Sequence, residues 1–182
     1  MLVVGLILVM AVAVVPSFRQ AIRKGPLQNY SQQFREITSG ARTAAIDTGL
    51  TYQVRYEVGG QYFVAIPLDP ATESLAGETT DENSAGEVPK FVGQMYENLK
   101  FRAPDGVDIS SERLDRELFD GLPEAGKLSD AVWSPAITYY PDGSSLDTVV
   151  EIFDDQKQAV SISIRGLTGA TKVSPVFISE DE

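Results

Sequence analysis

The sequence of 182 residues contains no cysteine and no histidine. Without cysteine there is no disulfide framework, no thiolate metal site and no cysteine nucleophile. Without histidine the chain lacks the commonest general base and the commonest ligand of transition metals. Any catalysis would depend on carboxylates, lysine, serine, threonine or tyrosine. These absences favour a protein that is not an enzyme, and we predict no catalytic residue, no cofactor and no metal site.

Charge is also absent from the first eighteen residues, and Arg19 is the first charged side chain. At about 1.5 Å per helical residue this run spans roughly 27 Å, slightly less than a hydrocarbon core of about 30 Å. No basic segment precedes the run and no small-residue cleavage site follows it, which disfavours a secretory signal peptide. Apolarity on all sides disfavours a helix in the core of a soluble domain. We therefore predict a transmembrane helix over residues 1–18, with membrane-facing residues Leu2, Val3, Val4, Gly5, Leu6, Ile7, Leu8, Val9, Pro16 and Phe18.

Basic residues become a minority after the first quarter of the chain. Residues 1–48 carry five basic and two acidic side chains (+3), and the remainder carries 10 basic and 24 acidic (−14), which sums to −11. An acidic domain repels phosphate backbones, so we expect no nucleic acid as a partner. A basic protein surface or calcium would be compatible with this charge.

Residues 19–49 have the periodicity of an amphipathic helix. Gly49 stands where a helix C-terminus favours a left-handed residue. Gly25–Pro26 predicts a break or kink, because proline lacks a backbone donor and clashes with the preceding turn. The pattern predicts a long, kinked N-terminal helix whose second half packs on its own domain. Its apolar stripe recurs at intervals of three and four residues: Leu27, Tyr30, Phe34, Ile37, Ala41 and Ala44.

From Leu50 onward the apolar period changes to two, which predicts a β-rich domain over residues 50–182. Residues 51–58 and 61–66 predict a β-hairpin with a Gly59–Gly60 turn. Residues 68–90 are acidic and poor in large apolar side chains, which predicts an exposed loop. The fold class is therefore α+β, a long helix followed by an antiparallel sheet.

The rest of this domain predicts further strands and two turns. Pro141, Asp142 and Gly143 predict a type I turn, and Thr168–Gly169 predicts a second turn. Residues 111–119 fit either a helical turn or a strand, and residues 121–130 are predicted as loop. Strands are predicted at 97–103, 107–109, 136–140, 148–153, 159–165 and 171–178.

Several short motifs match known functional sites only in part. Gly121–Lys127 begins like a phosphate-binding loop, but Leu128 stands where Ser or Thr would bind Mg²⁺ and no buried strand precedes it. Asp47–Gly49 matches the aspartic protease triplet, but it closes a helix instead of following a strand. An anchored aspartic protease remains the enzyme alternative.

Two acidic runs offer oxygen atoms that calcium accepts, namely Asp154–Asp155 and Glu180–Glu182. Neither run has the alternating ligand spacing or the turn glycine of a dedicated calcium loop. A solvated acidic surface is the better interpretation. Trp133, the only tryptophan, is expected in the core or at a sheet edge.

Three stretches of the sequence together carry a family resemblance. The first is the apolar run Leu2–Phe18 with Pro16 near its end, and the second is Ser39–Val54, with an Ala-Arg pair, an Ala-Ile pair and a glycine before the first strand. The third is Ala136–Ser145, with its Pro-Asp-Gly turn, followed by Leu167–Gly169. In this order they resemble type IV pilin-like proteins, in particular the minor pseudopilins of the GspH/FimT group.

The resemblance implies a pilin-like fold and a structural role. Such a protein acts by assembly with other pseudopilins or pilins in a hetero-oligomeric filament of a type II secretion system. It implies that residues 1–18 serve as the assembly helix and cross the inner membrane once, with the C-terminal domain in the periplasm. A minor pilin of a type IV pilus and a membrane-anchored extracytoplasmic binding module are the alternatives.

The chain departs from the family at its beginning. The family has a basic leader, a glycine cleavage site and the pattern Phe-Thr-Leu-x-Glu before the apolar run, and none of these precedes Leu2 here. When Pro16 is aligned with the family's helix proline, Met1 falls just after the glutamate. We therefore expect the true start to lie upstream, in which case prepilin peptidase would be a further partner.

Overall fold

The computed structural model describes residues 2–68, 88–102 and 110–179, with side chains from residue 25 onward. In this part of the chain a long helix precedes a set of antiparallel strands, so the α+β fold predicted from the sequence is confirmed in outline. The elements are α1 (Leu2–Thr48), β1 (Tyr52–Tyr56), β2 (Tyr62–Pro67), β3 (Phe91–Gln94), β4 (Leu99–Arg102), a 3₁₀ helix (Arg116–Phe119), α2 (Ala125–Asp130), β5 (Ile137–Tyr139), β6 (Thr148–Asp154), β7 (Gln158–Arg165), β8 (Ala170–Val173) and β9 (Phe177–Ile178).

Helix α1 continues through Gly25 and Pro26, so a break at this point is wrong, and the kink stays a prediction. Pro26 lacks only one backbone N–H donor, and the helix continues because the turns after it pack into the β domain. Leu27 and Phe34 on the predicted stripe are at most 1 % exposed. The helix ends at Thr48, and the amide of Gly49, at φ +71°, donates to the Ala45 carbonyl at 3.0 Å.

No helix whose side chains are described is long and apolar enough to cross a membrane. The predicted membrane-facing residues, from Leu2 to Phe18, have helical backbone within α1. Their side chains lie outside the described part of the chain. The transmembrane helix therefore stays a prediction.

The strands form two antiparallel sheets. The first sheet has the order β3-β2-β1-β5, and the second has the order β4-β6-β7-β8, with β9 also pairing with β7. The predicted hairpin is present as β1 and β2, with Tyr56 opposite Phe63 at the turn end. A carboxylate oxygen of Glu57 accepts the amides of Gln61 and Tyr62 at 2.8 and 3.2 Å and thereby closes the turn.

Two hydrophobic cores lie on opposite faces of the first sheet. In the larger core α1 packs between the sheets, and Phe34 contacts the rings of Phe63 and Phe101 with centroids 5.5 and 5.4 Å apart. The smaller core lies under the segment that contains the 3₁₀ helix and α2, where Trp133 stacks on Phe119. The indole of Trp133 is fully buried, as expected for a core residue.

Some predicted boundaries are wrong. Residues 125–130, predicted as loop, form α2, because Leu128 is buried in the smaller core and its carbonyl accepts the indole N–H of Trp133 at 2.9 Å. The predicted strand 171–178 is divided into β8 and β9 at Pro175, which has no amide for a sheet ladder. Residues 111–119 contain the 3₁₀ helix. The strand predicted at 107–109 and residues 69–87 of the predicted loop lie outside the described residues.

Candidate functional site

Arg42 connects helix α1 to two turns of the β domain. Its Nε donates a hydrogen bond to the Gly143 carbonyl at 2.9 Å. A Cβ atom built on Gly169 would lie 2.5 Å from that carbonyl oxygen and 2.8 Å from Cδ of Arg42, so the three groups are in close contact. We call Arg42, the turn Tyr140–Gly143 and the turn Arg165–Gly169 together the junction.

The first turn of the junction contains the predicted residues Pro141, Asp142 and Gly143. The amide of Gly143, at φ +79°, donates to the Tyr140 carbonyl at 2.8 Å. Asp142 Oδ1 accepts hydrogen bonds from the hydroxyl and the amide of Ser144 at 2.6 and 2.9 Å. These two hydrogen bonds hold the pKa of Asp142 below its ordinary value. The three predicted residues therefore form a tight turn that presents the Gly143 carbonyl to Arg42.

The second turn of the junction follows strand β7. The amide of Gly169, at φ +61°, donates to the Arg165 carbonyl at 2.7 Å. Before it, the amide of Gly166 donates to Asp147 Oδ1 at 2.9 Å, and its carbonyl accepts the Ser145 amide at 2.7 Å. These bonds tie the second turn to the segment that leads from the first turn into β6.

Two buried hydroxyls, of Thr38 and Tyr139, and the half-buried hydroxyl of Thr171 lie where α1 passes the edges of both sheets. The hydroxyl oxygens of Thr38 on α1 and Thr171 on β8 are 3.2 Å apart. Tyr139 on β5 is fully buried, and this burial raises its pKa, while the hydroxyls of Thr171 and Thr38 oppose the rise. Helix α1 therefore contacts β8, an edge strand of the second sheet, through a hydroxyl pair one helical turn from Arg42.

Exposed apolar side chains surround the junction. Leu167 is 89 % exposed and Leu146 is 57 % exposed, in and beside the second turn. Ile46 is 46 % exposed on α1, and its Cδ1 lies 3.0 Å from the position that a Cβ on Gly143 would take. Apolar residues grouped on a surface, unlike scattered ones, are typical of interaction sites. The junction can therefore act as a contact surface for another protein.

The described residues of the remaining motifs make structural contacts, and Glu180–Glu182 lies outside the described part of the chain. Lys127, the lysine of the partial phosphate-loop motif, donates to Glu124 at 2.8 Å, and a 3₁₀ helix rather than a strand precedes that motif. Asp47 is exposed on the last turn of α1. Asp154 is buried and accepts the amides of Gln156 and Gln158, which is a turn contact. Among the described residues no group of three or more potential metal ligands is present.

The contact between Arg42 and Gly143 was not evident from the sequence, because the two residues are 101 positions apart. The only signal was that both belong to stretches that resemble one family. Glycine at a turn, as at position 169, indicates a left-handed conformation but not which segment will approach it.

No family model and no curated protein matches the chain. Several chains of solved structures are similar to it, and two of them are as follows. The structure of the minor pseudopilin EpsH from the Type 2 Secretion System of Vibrio cholerae is 11% identical, with a TM-score of 0.49, over 82% of this chain and 97% of that one. A crystal structure of the same minor pseudopilin is 15% identical, with a TM-score of 0.48, over 87% of this chain and 97% of that one.

Proposed function

We propose that this protein is a minor pseudopilin, a structural subunit of a type II secretion pseudopilus that acts in protein secretion by assembly. The observation that carries the proposal is the junction. The second and third of the family-like stretches, far apart in sequence, meet there through the hydrogen bond from Arg42 to Gly143 at 2.9 Å. A chance resemblance of separate segments would not require their characteristic residues to contact one another.

Helix α1 suits such a role because it is long and because its first half begins with a charge-free run while its second half is amphipathic. Its 47 residues span about 70 Å at 1.5 Å per residue. The described half is packed into the β domain through Leu27 and Phe34. The first half carries the charge-free run, which in this proposal crosses the inner membrane and packs against the helices of neighbouring pseudopilins. The β domain then lies in the periplasm, and prepilin peptidase acts on the chain if translation starts upstream.

Deletion of this chain in its own bacterium tests the proposed role. We expect secreted enzymes to accumulate in the periplasm and to fall in the culture supernatant, with recovery when the gene is supplied on a plasmid. Unchanged secretion in the deletion strain would contradict the proposal. Loss of surface pili with intact secretion would favour a minor pilin of a type IV pilus instead.

The absence of cysteine allows a direct test of assembly. In a Leu8→Cys variant, the single thiol can carry a photo-cross-linker attached through maleimide. We expect cross-links to other pseudopilins in isolated membranes, because residue 8 would lie in the shared helix bundle. The wild-type chain has no thiol for attachment and is the matched control. Cross-links to lipid or to unrelated proteins alone would contradict the assembly role.

A further inference from the structure

The face of the second sheet that points away from α1 carries an open groove of about 670 Å³. It lies over the end of β7, where that strand pairs with β6 and β8. The opposite face of the same strands forms part of the main core, where Val150, Ile162 and Ile164 are buried. The groove is therefore a feature of the solvent face of the sheet.

Two cations line this groove. Arg165 and Lys172 are exposed, and neither side chain makes a hydrogen bond or an ion pair with another described residue. Arg102 and Lys127 on the same domain are paired with Glu151 and Glu124, whereas the exposed Lys100 and Lys157 also make no ion pair with a described residue. Two unpaired cations side by side are notable in a segment of the chain with a net charge of −14.

One carboxylate also lines the groove. Asp147 Oδ1 accepts the amide of Gly166 at 2.9 Å, so this oxygen is held at the second turn of the junction. It does not reach Arg165 or Lys172 within ion-pair distance in the described structure. Among the described residues no carboxylate pairs with the two cations, so both remain available to a carboxylate ligand.

The strand register fixes the spacing of the two cations. Arg165 is opposite Ala170 and Ser163 is opposite Lys172, so the cations are diagonal neighbours on one face of β7 and β8. Diagonal neighbours in antiparallel strands are about 7–8 Å apart. An extended peptide places side chains i and i+2 on one face at about 6.5–7 Å, because each residue advances about 3.3 Å. Carboxylates two residues apart therefore match the two cations.

The same row of residues provides an apolar surface next to the two cations. Val149 on β6 is opposite Ser163 on β7, and it is 42 % exposed in the groove. An apolar side chain, a hydroxyl and a cation thus follow one another across three strands. A peptide bound here can contact the apolar side chain of Val149 as well as the two cations.

We propose that this groove, defined by Val149, Ser163, Arg165 and Lys172, binds an extended acidic segment of a partner protein. The segment carries two carboxylates at positions i and i+2, which pair with Arg165 and Lys172. The proposal depends on the geometry of the groove and on charge complementarity. It does not depend on the pseudopilin role, so either proposal can fail alone.

A labelled peptide tests the groove directly. The probe is acetyl-Thr-Glu-Val-Glu-Thr-amide with a fluorophore, and the control peptide has glutamine in place of both glutamates. Binding to the full-length protein in detergent micelles is followed by fluorescence anisotropy. We expect the probe to bind, the glutamine peptide to bind about tenfold more weakly, and the affinity for the probe to fall as salt is raised, because exposed ion pairs are weak and are screened. No binding of the probe, or equal binding of both peptides, would overturn the proposal.

Variants of the protein locate the binding site. We expect Arg165→Gln and Lys172→Gln each to weaken probe binding about threefold and the double variant about tenfold, as exposed ion pairs contribute up to about 1 kcal/mol. Lys100→Gln removes an exposed charge from β4 of the same sheet, outside the groove, and should leave the affinity unchanged. All these side chains are exposed, so the variants should fold. Wild-type affinity in the double variant would exclude this groove as the site.

Discussion

Arg42 combines two kinds of contact in a single side chain. Its Nε donates to the Gly143 carbonyl, and its methylene groups pack against Gly169, so it joins a helix to two turns. Hydrogen bonds from a charged donor contribute about 1.5–3 kcal/mol, more than neutral ones, because they are electrostatically stronger. Long cationic side chains also stabilise through the packing of their stems. Residue 42 is therefore expected to matter for stability more than a surface arginine does.

The variant Arg42→Ala tests this expectation. We expect the free energy of unfolding to fall by about 1.5–3 kcal/mol, because a charged hydrogen bond and the packing on Gly169 are both lost. Urea denaturation followed by circular dichroism measures the change. Arg35→Ala removes an exposed arginine from the same helix and should change stability by less than about 0.5 kcal/mol. Equal effects of the two substitutions would show that the contact with Gly143 contributes nothing specific.

At the scale of elements, the two turns of the junction depend on glycine for different reasons. Gly143 needs its positive φ for the turn, and its neighbour is the flexible side chain of Arg42. Gly169 has a positive φ and also faces the backbone carbonyl of Gly143, where a Cβ would be 2.5 Å from the oxygen. A backbone atom cannot move as easily as the end of a side chain. Substitution of the glycine in the second turn is therefore expected to cost more stability than substitution of the glycine in the first.

Gly169→Ala should destabilise the protein by about 1–3 kcal/mol, since alanine at positive φ is strained and the turn must also move away from Gly143. Gly126→Ala is the matched control, because Gly126 lies in α2, has no positive φ, and a Cβ added there would meet no atom within 4 Å. Alanine is favoured over glycine inside helices by about 1 kcal/mol, so the control should be neutral or stabilising. Thermal unfolding of both variants provides the measurement. A neutral Gly169→Ala would mean that the two turns are free to separate.

The elements that the sequence predicted well are those whose signal is local. The three-and-four spacing from Leu27 to Ala44 matches the buried side of α1, and the alternation around Gly59–Gly60 matches the first hairpin. Helix α2 was missed because its six residues contain no repeated apolar spacing, and the burial of Leu128 against Trp133 stabilises the helix from outside the segment. Packing of this kind depends on residues that are distant from the element itself.

At the scale of the whole molecule, the pairing of distant segments was not available from the sequence. Strand β1 pairs with β5 as well as with its hairpin partner β2, and α1 packs against strands of both sheets. The family resemblance named the segments of the junction but not their contact through Arg42. The groove on the second sheet was not predicted either, because it depends on the register that places Arg165 and Lys172 diagonally. Hydrophobic alternation indicates which face a residue occupies, but the exact residue pairs also depend on the geometry of the turn between the strands, which the sequence did not define at this point.

The two cores share the first sheet, so we expect them to unfold together. Phe34 is fully buried in the main core, and Trp133 is fully buried in the smaller core on the opposite face. Phe34→Ala should cost about 3–5 kcal/mol, because it removes a large buried ring and leaves a cavity between Phe63 and Phe101. Gln32→Ala, at an exposed position of the same helix, is the control and should be near neutral.

Two probes of urea unfolding decide whether the loss of stability in Phe34→Ala affects both cores. Fluorescence of Trp133, the only tryptophan, reports on the smaller core, and far-ultraviolet circular dichroism reports on α1 and the sheets. In a two-state domain both transitions coincide. We expect the midpoints of the two transitions to fall together in Phe34→Ala, because damage to one face of the first sheet removes the support of the other. A fluorescence midpoint that stays at its wild-type value while the dichroism midpoint falls would show that the segment around α2 folds with the first sheet independently of α1.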